Sequence, residues 1–224
     1  MKLRVFLAVL LFAASVAYAD TLDNFNRPDS PTLGPNWTVQ SGGAEIYSLT
    51  ARASNASQAF NLVTYNGVSS NNAFVDVYSV DSSLAYIALD IAYLDVNNNY
   101  FIKVQNQGGG ASGFNYAAFY YGNNGPTGDF FLLNSPFTSG QITASFLGTI
   151  ATLSIDTNFD GIADQTYTFD YGISTGGTGI GLGLYGTAQA DNFGTSAIPE
   201  PGSMLLLGTG LLGVAGTIRR KLSL

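Results

Sequence analysis

Ala73-Phe74-Val75-Asp76-Val77-Tyr78-Ser79-Val80 and Tyr86-Ile87-Ala88-Leu89-Asp90-Ile91-Ala92-Tyr93-Leu94 decide the fold. In the first, Ala73, Val75 and Val77 point one way and Phe74, Asp76 and Tyr78 the other. In the second, Ile87, Leu89 and Ile91 oppose Tyr86, Ala88, Asp90 and Ala92. A period of two over that length is the pattern of a strand with one face buried. Val96-Asn97-Asn98-Asn99 then reads as a turn, 100–105 as the returning strand, and 114–121 as a further strand beyond the Gly108-Gly109-Gly110 break.

The later half repeats this logic, with strands expected at 130–133, 142–147, 150–156, 165–170 and 180–185. No amphipathic helix interrupts them. About ten to twelve short strands separated by Asn, Gly, Ser and Asp turns predict an all-β sandwich. The 27 glycines do not make the chain a solvated coil, because 15 Phe and 13 Tyr supply too much aromatic surface. Between the two ends lie about 180 residues, enough for one core burying roughly 70 % of the unfolded surface.

Both ends of the chain read differently. Lys2 and Arg4 precede the apolar run 5–16, and Ala17-Tyr18-Ala19 gives the small-x-small pattern that signal peptidase reads. Residues 1–19 are thus expected to leave as a signal peptide, with the mature chain starting at Asp20; the alternative is an uncleaved anchor. The body, 20–197, ends at Pro199-Glu200-Pro201, where two prolines suit neither strand nor helix interior. Residues 203–218 are apolar and Leu/Gly-rich, and Arg219-Arg220-Lys221 closes them. As a helix that stretch spans about 24 Å, slightly short of a hydrocarbon core of about 30 Å, and snorkelling basic residues let it cross. The basic cluster places the C-terminus in the cytoplasm. A buried C-terminal helix is the alternative.

Charge and composition exclude several functions. Five of the eight basic residues lie in the two ends, leaving Arg27, Arg52 and Lys103; of fifteen acidic residues only Glu200 does, leaving fourteen. Three against fourteen is a formal −11 for the body, which repels phosphate backbones and predicts no nucleic-acid partner. The absence of His and Cys removes histidine-dependent hydrolysis, the usual zinc sites and disulfide staples.

The tail, 198–224, closely resembles the PEP-CTERM sorting signal: Pro199-Glu200-Pro201, an apolar span, then Arg219, Arg220 and Lys221 in that order. The resemblance implies an exosortase-type transpeptidase as partner, in a Gram-negative, exopolysaccharide-producing host. It implies transient anchoring by 203–218 and processing near 199–202, then a cell-surface or extracellular location. Asp23-Asn24-Phe25-Asn26-Arg27, Leu33-Gly34-Pro35-Asn36-Trp37, the ending Gly181-Leu182-Gly183-Leu184-Tyr185 and Asp191-Asn192-Phe193 resemble laminin-G-like or concanavalin-like jelly-roll domains. That resemblance implies one jelly-roll β-sandwich whose two ends lie side by side in one sheet.

Three sites come from the residues. Asp156, Asn158, Asp160 and Asp164 place oxygens at relative positions 1, 3, 5 and 9 around Gly161, as in the front of a calcium loop, so a structural Ca2+ is one expectation. Position 12 is Tyr167, without the bidentate Glu of an EF-hand, and the alternative is a hairpin turn whose Asx side chains cap amides. A second site is an aromatic and carboxylate surface drawn from Phe74, Asp76, Tyr78, Tyr86 and Asp90, with Tyr116 and Tyr120 on a further strand, able to stack and hydrogen-bond a sugar. Alternation leaves open which of these strands are neighbours. The third, glycoside hydrolysis, needs two placed carboxylates, and nothing singles out a pair; Glu45 is the one glutamate of the body. The expectation is a non-enzymatic surface or matrix protein, glycan-binding towards exopolysaccharide, or purely structural and adhesive.

Overall fold

The computed structural model describes residues 19–58, 60–108, 110, 112–122 and 129–196. Its elements are strands: β1 Ala19–Asp23, β2 Trp37–Ser41, β3 Ala44–Tyr47, β4 Thr50–Ala53, β5 Asn61–Tyr65, β6 Asn72–Tyr78, β7 Ala85–Asp95 and β8 Asn98–Asn106. They continue with β9 Phe114–Tyr121, β10 Phe130–Phe137, β11 Ser139–Leu147, β12 Ile150–Asp156, β13 Gln165–Asp170, β14 Gly179–Tyr185 and β15 Gln189–Ser196. Among the described residues no helix is long and apolar enough to cross a membrane. The expected signal peptide and the 203–218 span lie outside the described residues.

Two sheets form. Sheet A runs β13-β12-β11-β6-β15-β4-β3 with β1 added on β15, and sheet B runs β10-β9-β8-β7-β14-β5-β2. Among the described strands the chain changes sheet at β1 to β2 to β3, at β4 to β5 to β6 to β7, at β10 to β11 and at β13 to β14 to β15. Those crossings wrap it around one core as a jelly-roll sandwich. β1 beside β15 puts the two ends of the domain in one sheet, and Asp20–Thr195 forms one compact unit.

Alternation places the core. Val75, Val77, Ile142, Leu153 and Ile155 from sheet A meet Ile87, Leu89, Ile91, Ile102 and Leu182 from sheet B, all fully buried. Fully burying one such side chain contributes about 1.5–3 kcal/mol. The hairpin Asp95↔Asn98 and the register Leu89↔Ile102 confirm that 86–94 and 100–105 are partners. The structure departs from the sequence reading at several points: β6 as well as β7 is buried on both faces, and Ala92, expected on the side of Tyr86, packs in the main core beyond the register shift after Ile91. β7 is buried along nearly its whole length on both faces, because aromatic residues of neighbouring strands cover its outward side.

A polar node fixes the N-terminal segment to this frame. Asp23 accepts from both Arg27 nitrogens at 2.6 and 2.9 Å, from Trp37 Nε1 at 2.7 Å and from Phe25 N at 2.9 Å. The Trp37 ring it orients lies 5.0 Å from Phe193 of β15 and 5.1 Å from Tyr65 of β5. Burial alone raises the Asp23 pKa, but the hydrogen bonds from Arg27, Trp37 and Phe25 outweigh it and leave it below the usual carboxylate value. A lowered folded pKa gives stability that is present above the unfolded pKa and lost as pH falls through the folded one. Asp23→Asn sets an amide N–H against these donors and is expected to cost about 2–3 kcal/mol at pH 7. Thermal melts from pH 7 to pH 2 check this: the gap to wild type should close in acid.

Candidate functional site

The outward face of sheet B gathers what the sequence had scattered. Registers between β10, β9, β8, β7 and β14 set its side chains in cross-strand rows. One row holds Leu132, Tyr116, Gln105, Tyr86 and Tyr185; the next holds Phe130, Ala118, Lys103, Ala88 and Gly183; the third holds Tyr120, Phe101, Asp90 and Gly181. Tyr86, Ala88 and Asp90 were expected opposite the core-facing residues of their strand, and they are; Tyr116 and Tyr120, expected only to share one face of a further strand, lie on this same outward face. Phe74, Asp76 and Tyr78 are on β6, which lies in sheet A, so they belong to a different surface. Asp76 there accepts from Gln141 Nε2 at 3.0 Å and from Asn192 Nδ2 at 2.8 Å, tying β11, β6 and β15 together.

The residues that sequence reasoning missed are Tyr185 on β14 and three on β8. Phe101, Lys103 and Gln105 alternate with the buried Ile102 and Val104, so the same period-two argument applied to 100–105 would have found them. Phe101 lies across Gly183, where an added Cβ would stand 2.2 Å from its ring. Gly183 is therefore required by close approach. The Phe101 ring meets Phe60 at 5.1 Å and Tyr86 edge-on at 5.8 Å, while Tyr86 stacks on Tyr185 at 5.4 Å. Leu62, Tyr86, Ala88 and Phe101, flanked by Phe60, Tyr93, Tyr120 and Tyr185, form a second apolar cluster separate from the core.

Two ionisable groups sit within it. Lys103 is 9 % exposed, with its ammonium 4.5 Å from the Tyr86 ring centre and 4.9 Å from that of Tyr120. Burial lowers its pKa to about 8. Asp90 is completely buried and neither carboxylate oxygen has a hydrogen-bond partner among the described residues. Burial raises its pKa well above the usual carboxylate value. The surface thus offers aromatic faces, one amide and one cation, with its one carboxylate buried and its pKa pushed up.

The 156–164 turn joins β12 to β13 and is closed by its own side chains. Asp156 Oδ1 accepts from Asn158 N at 3.1 Å and Phe159 N at 2.8 Å, and Asp156 Oδ2 from Gly161 N at 2.7 Å. Asn158 Oδ1 accepts from Asp160 N, Asp160 Oδ1 from Ile162 N, and Asp164 Oδ2 from Thr157 N. Gly161, at φ +83°, supplies the left-handed step. Among the described residues no three Asp, Glu, His or Cys side chains are gathered as a metal site. A cleft of about 640 Å³ beside β1 is lined by Asp23, Asn24, Arg27, Thr32 and Asn36 among others, but its acid and base are paired with each other.

Asp90 yields a sign-specific expectation. Its raised folded pKa means its contribution is favourable at low pH and is lost as pH rises above the unfolded value. Asp90→Asn should therefore raise the melting temperature at pH 7, on the order of a few degrees. The gain should vanish near pH 3, which parallel calorimetric scans would reveal.

No curated protein matches the chain. Among solved structures it is similar to a carbohydrate-binding module from Bacillus subtilis, at 14% identity and TM-score 0.43 over 74% of this chain and 96% of that one. It is similar to a Bacillus licheniformis β-glucanase at 11% and 0.49, covering 83% and 99%, and to lectin II from Ulex europaeus at 9% and 0.47, covering 76% and 98%. Residues 197–221, outside the described residues, match the PEP-CTERM protein-sorting motif, which implies an exported protein processed by an exosortase.

Proposed function

We propose that the protein is a non-enzymatic, exported surface or matrix protein that binds glycan on the outward face of sheet B. The observation that carries this is the half-buried tyrosine array, Tyr116, Tyr120 and Tyr185, set around Gln105 and Lys103. Aromatic faces cover the apolar side of a sugar ring, while amide and ammonium donors take its hydroxyls. Binding rather than hydrolysis is favoured because the three rows contain one carboxylate, Asp90, and it is buried. Glycoside hydrolysis employs a pair about 5 to 9 Å apart.

In this reading signal peptidase cuts between Ala19 and Asp20, the 203–218 span holds the chain in the inner membrane, and an exosortase-type transpeptidase acts near 199–202. Pro199, Glu200, Pro201, Arg219, Arg220 and Lys221 serve as its recognition elements. The released domain then meets exopolysaccharide at the cell surface. A pull-down with the host's own exopolysaccharide is expected to retain the protein. Tyr120→Ala should weaken retention about tenfold, equivalent to about 1.4 kcal/mol. Passage of the wild type without retention would leave the purely structural, adhesive alternative.

Calcium at the 156–164 turn is a second part of the proposal, supported by the alternate-position oxygens of Asp156, Asn158, Asp160 and Asp164. The hydrogen bonds described take one oxygen each from Asp160 and Asp164. With an extracellular-type affinity of about 10⁻⁴ to 10⁻³ M, millimolar calcium adds on the order of 0.4 to 1.4 kcal/mol. Chelation should lower the melting temperature by a few degrees without unfolding the domain, and Asp160→Asn should abolish the difference. Identical melts in calcium and chelator would reduce the loop to a capped turn.

A further inference from the structure

Among the described residues Lys103 is the one cation on the outward face of sheet B, and it names the charge of a ligand there. Lys103 takes no part in the two ion pairs seen among the described residues, Arg27 with Asp23 and Arg52 with Glu45. Its nearest carboxylate by register is Asp90, one row away on the adjacent strand, and burial keeps that group from ionising as an ordinary aspartate does. Most of the Lys103 side chain is buried, and a partly desolvated ammonium gains free energy from a charged partner. Two tyrosine faces offset part of the cost, yet Nζ carries three donors and donates none of the hydrogen bonds described. Ala88 and Ala118, opposite Lys103 on either neighbouring strand, set nothing longer than a methyl beside it.

We infer that this face takes a carboxylated saccharide, a uronic-acid residue of an acidic polysaccharide. Its carboxylate pairs with Lys103 Nζ and its ring lies against Tyr120, the half-buried ring in the adjoining row. The inference rests on the glycan-binding reading above and adds the ligand's charge to it. The acidic body does not oppose it: the rows around Lys103 carry no carboxylate besides Asp90, and exposed charges farther off are screened beyond about 8 Å at physiological ionic strength.

The face also sets a pH dependence. With Lys103 at about 8, the cation is present at neutral pH and fades as pH rises through that value. Tyr86 of β7 and Tyr120 of β9, the rings flanking it, are raised and stay neutral across this range, the first by burial and by Tyr120 and Tyr185, the second by burial. Tyr116 and Tyr185 complete the titratable groups of the row beside it. Asp90, if ionised at alkaline pH, acts in the same direction by repelling a carboxylate.

The test is affinity electrophoresis of the full chain, purified in mild detergent, through gels containing polygalacturonate, its carboxyl-reduced neutral counterpart, or the host's exopolysaccharide. Retardation by polygalacturonate is expected to exceed that by the reduced polymer at least tenfold and to fall between pH 7 and pH 9.5. Lys103→Met, which keeps the packed stem, should lose tenfold or more, while Lys103→Arg stays within a few fold; equal melting temperatures show both variants folded. Equal retardation by the two polymers, or undiminished binding by Lys103→Met, overturns the inference and leaves glycan binding standing. Retardation by the host polysaccharide but not by polygalacturonate has the same meaning. No retardation in any gel removes both.

Discussion

Everything in this domain follows from the contact between the inward faces of its two sheets. Ile87, Leu89 and Ile91 of β7 pack across onto Val75 and Val77 of β6 and Ile142 of β11. Because side chains on a strand alternate, committing those residues inward commits Tyr86, Ala88 and Asp90 outward. The register with β8 and β9 then brings Lys103, Gln105, Tyr116 and Tyr120 into line beside them. The candidate site is the other side of the core.

The same constraint explains how much was legible in the sequence. β9, β12 and β13 have the bounds expected from the sequence, and β7 and β8 extend the expected strands by a residue or more at each end. β10 runs on through Pro136 to Phe137, which a sheet edge tolerates because an edge strand has unpaired amides. The short strands before residue 66 were harder to see, since four or five residues rich in Asn, Ser and Gly neighbours establish no period. The Asp23, Arg27 and Trp37 motif pointed to the N-terminal strand, and the structure shows what joins those residues: one carboxylate collects four donors.

Strand adjacency was not legible, and the site depended on it. Phe74, Asp76 and Tyr78 follow the same alternation as Tyr86 and Asp90, yet a change of sheet between β6 and β7 sends them to opposite outer surfaces. Lys103 reads in the sequence as one of three body cations. Only its register between Ala88 and Ala118 shows it framed by two tyrosines with, among the described residues, no ion-pair partner. In a body of formal charge −11, this is a locally cationic and aromatic surface, and its chemistry differs from the protein's average.

The claim that the outward face of sheet B is the contact surface is tested most directly by mapping amide and tyrosine-ring NMR shifts. Oligosaccharides cut from the host's exopolysaccharide would be titrated into the protein. The account predicts perturbations centred on Lys103, Gln105, Tyr116, Tyr120 and Tyr185, with sheet A and the cleft beside β1 unchanged. Perturbations centred on Asp76 and Tyr78, or on Asn24 and Asn36, would contradict it.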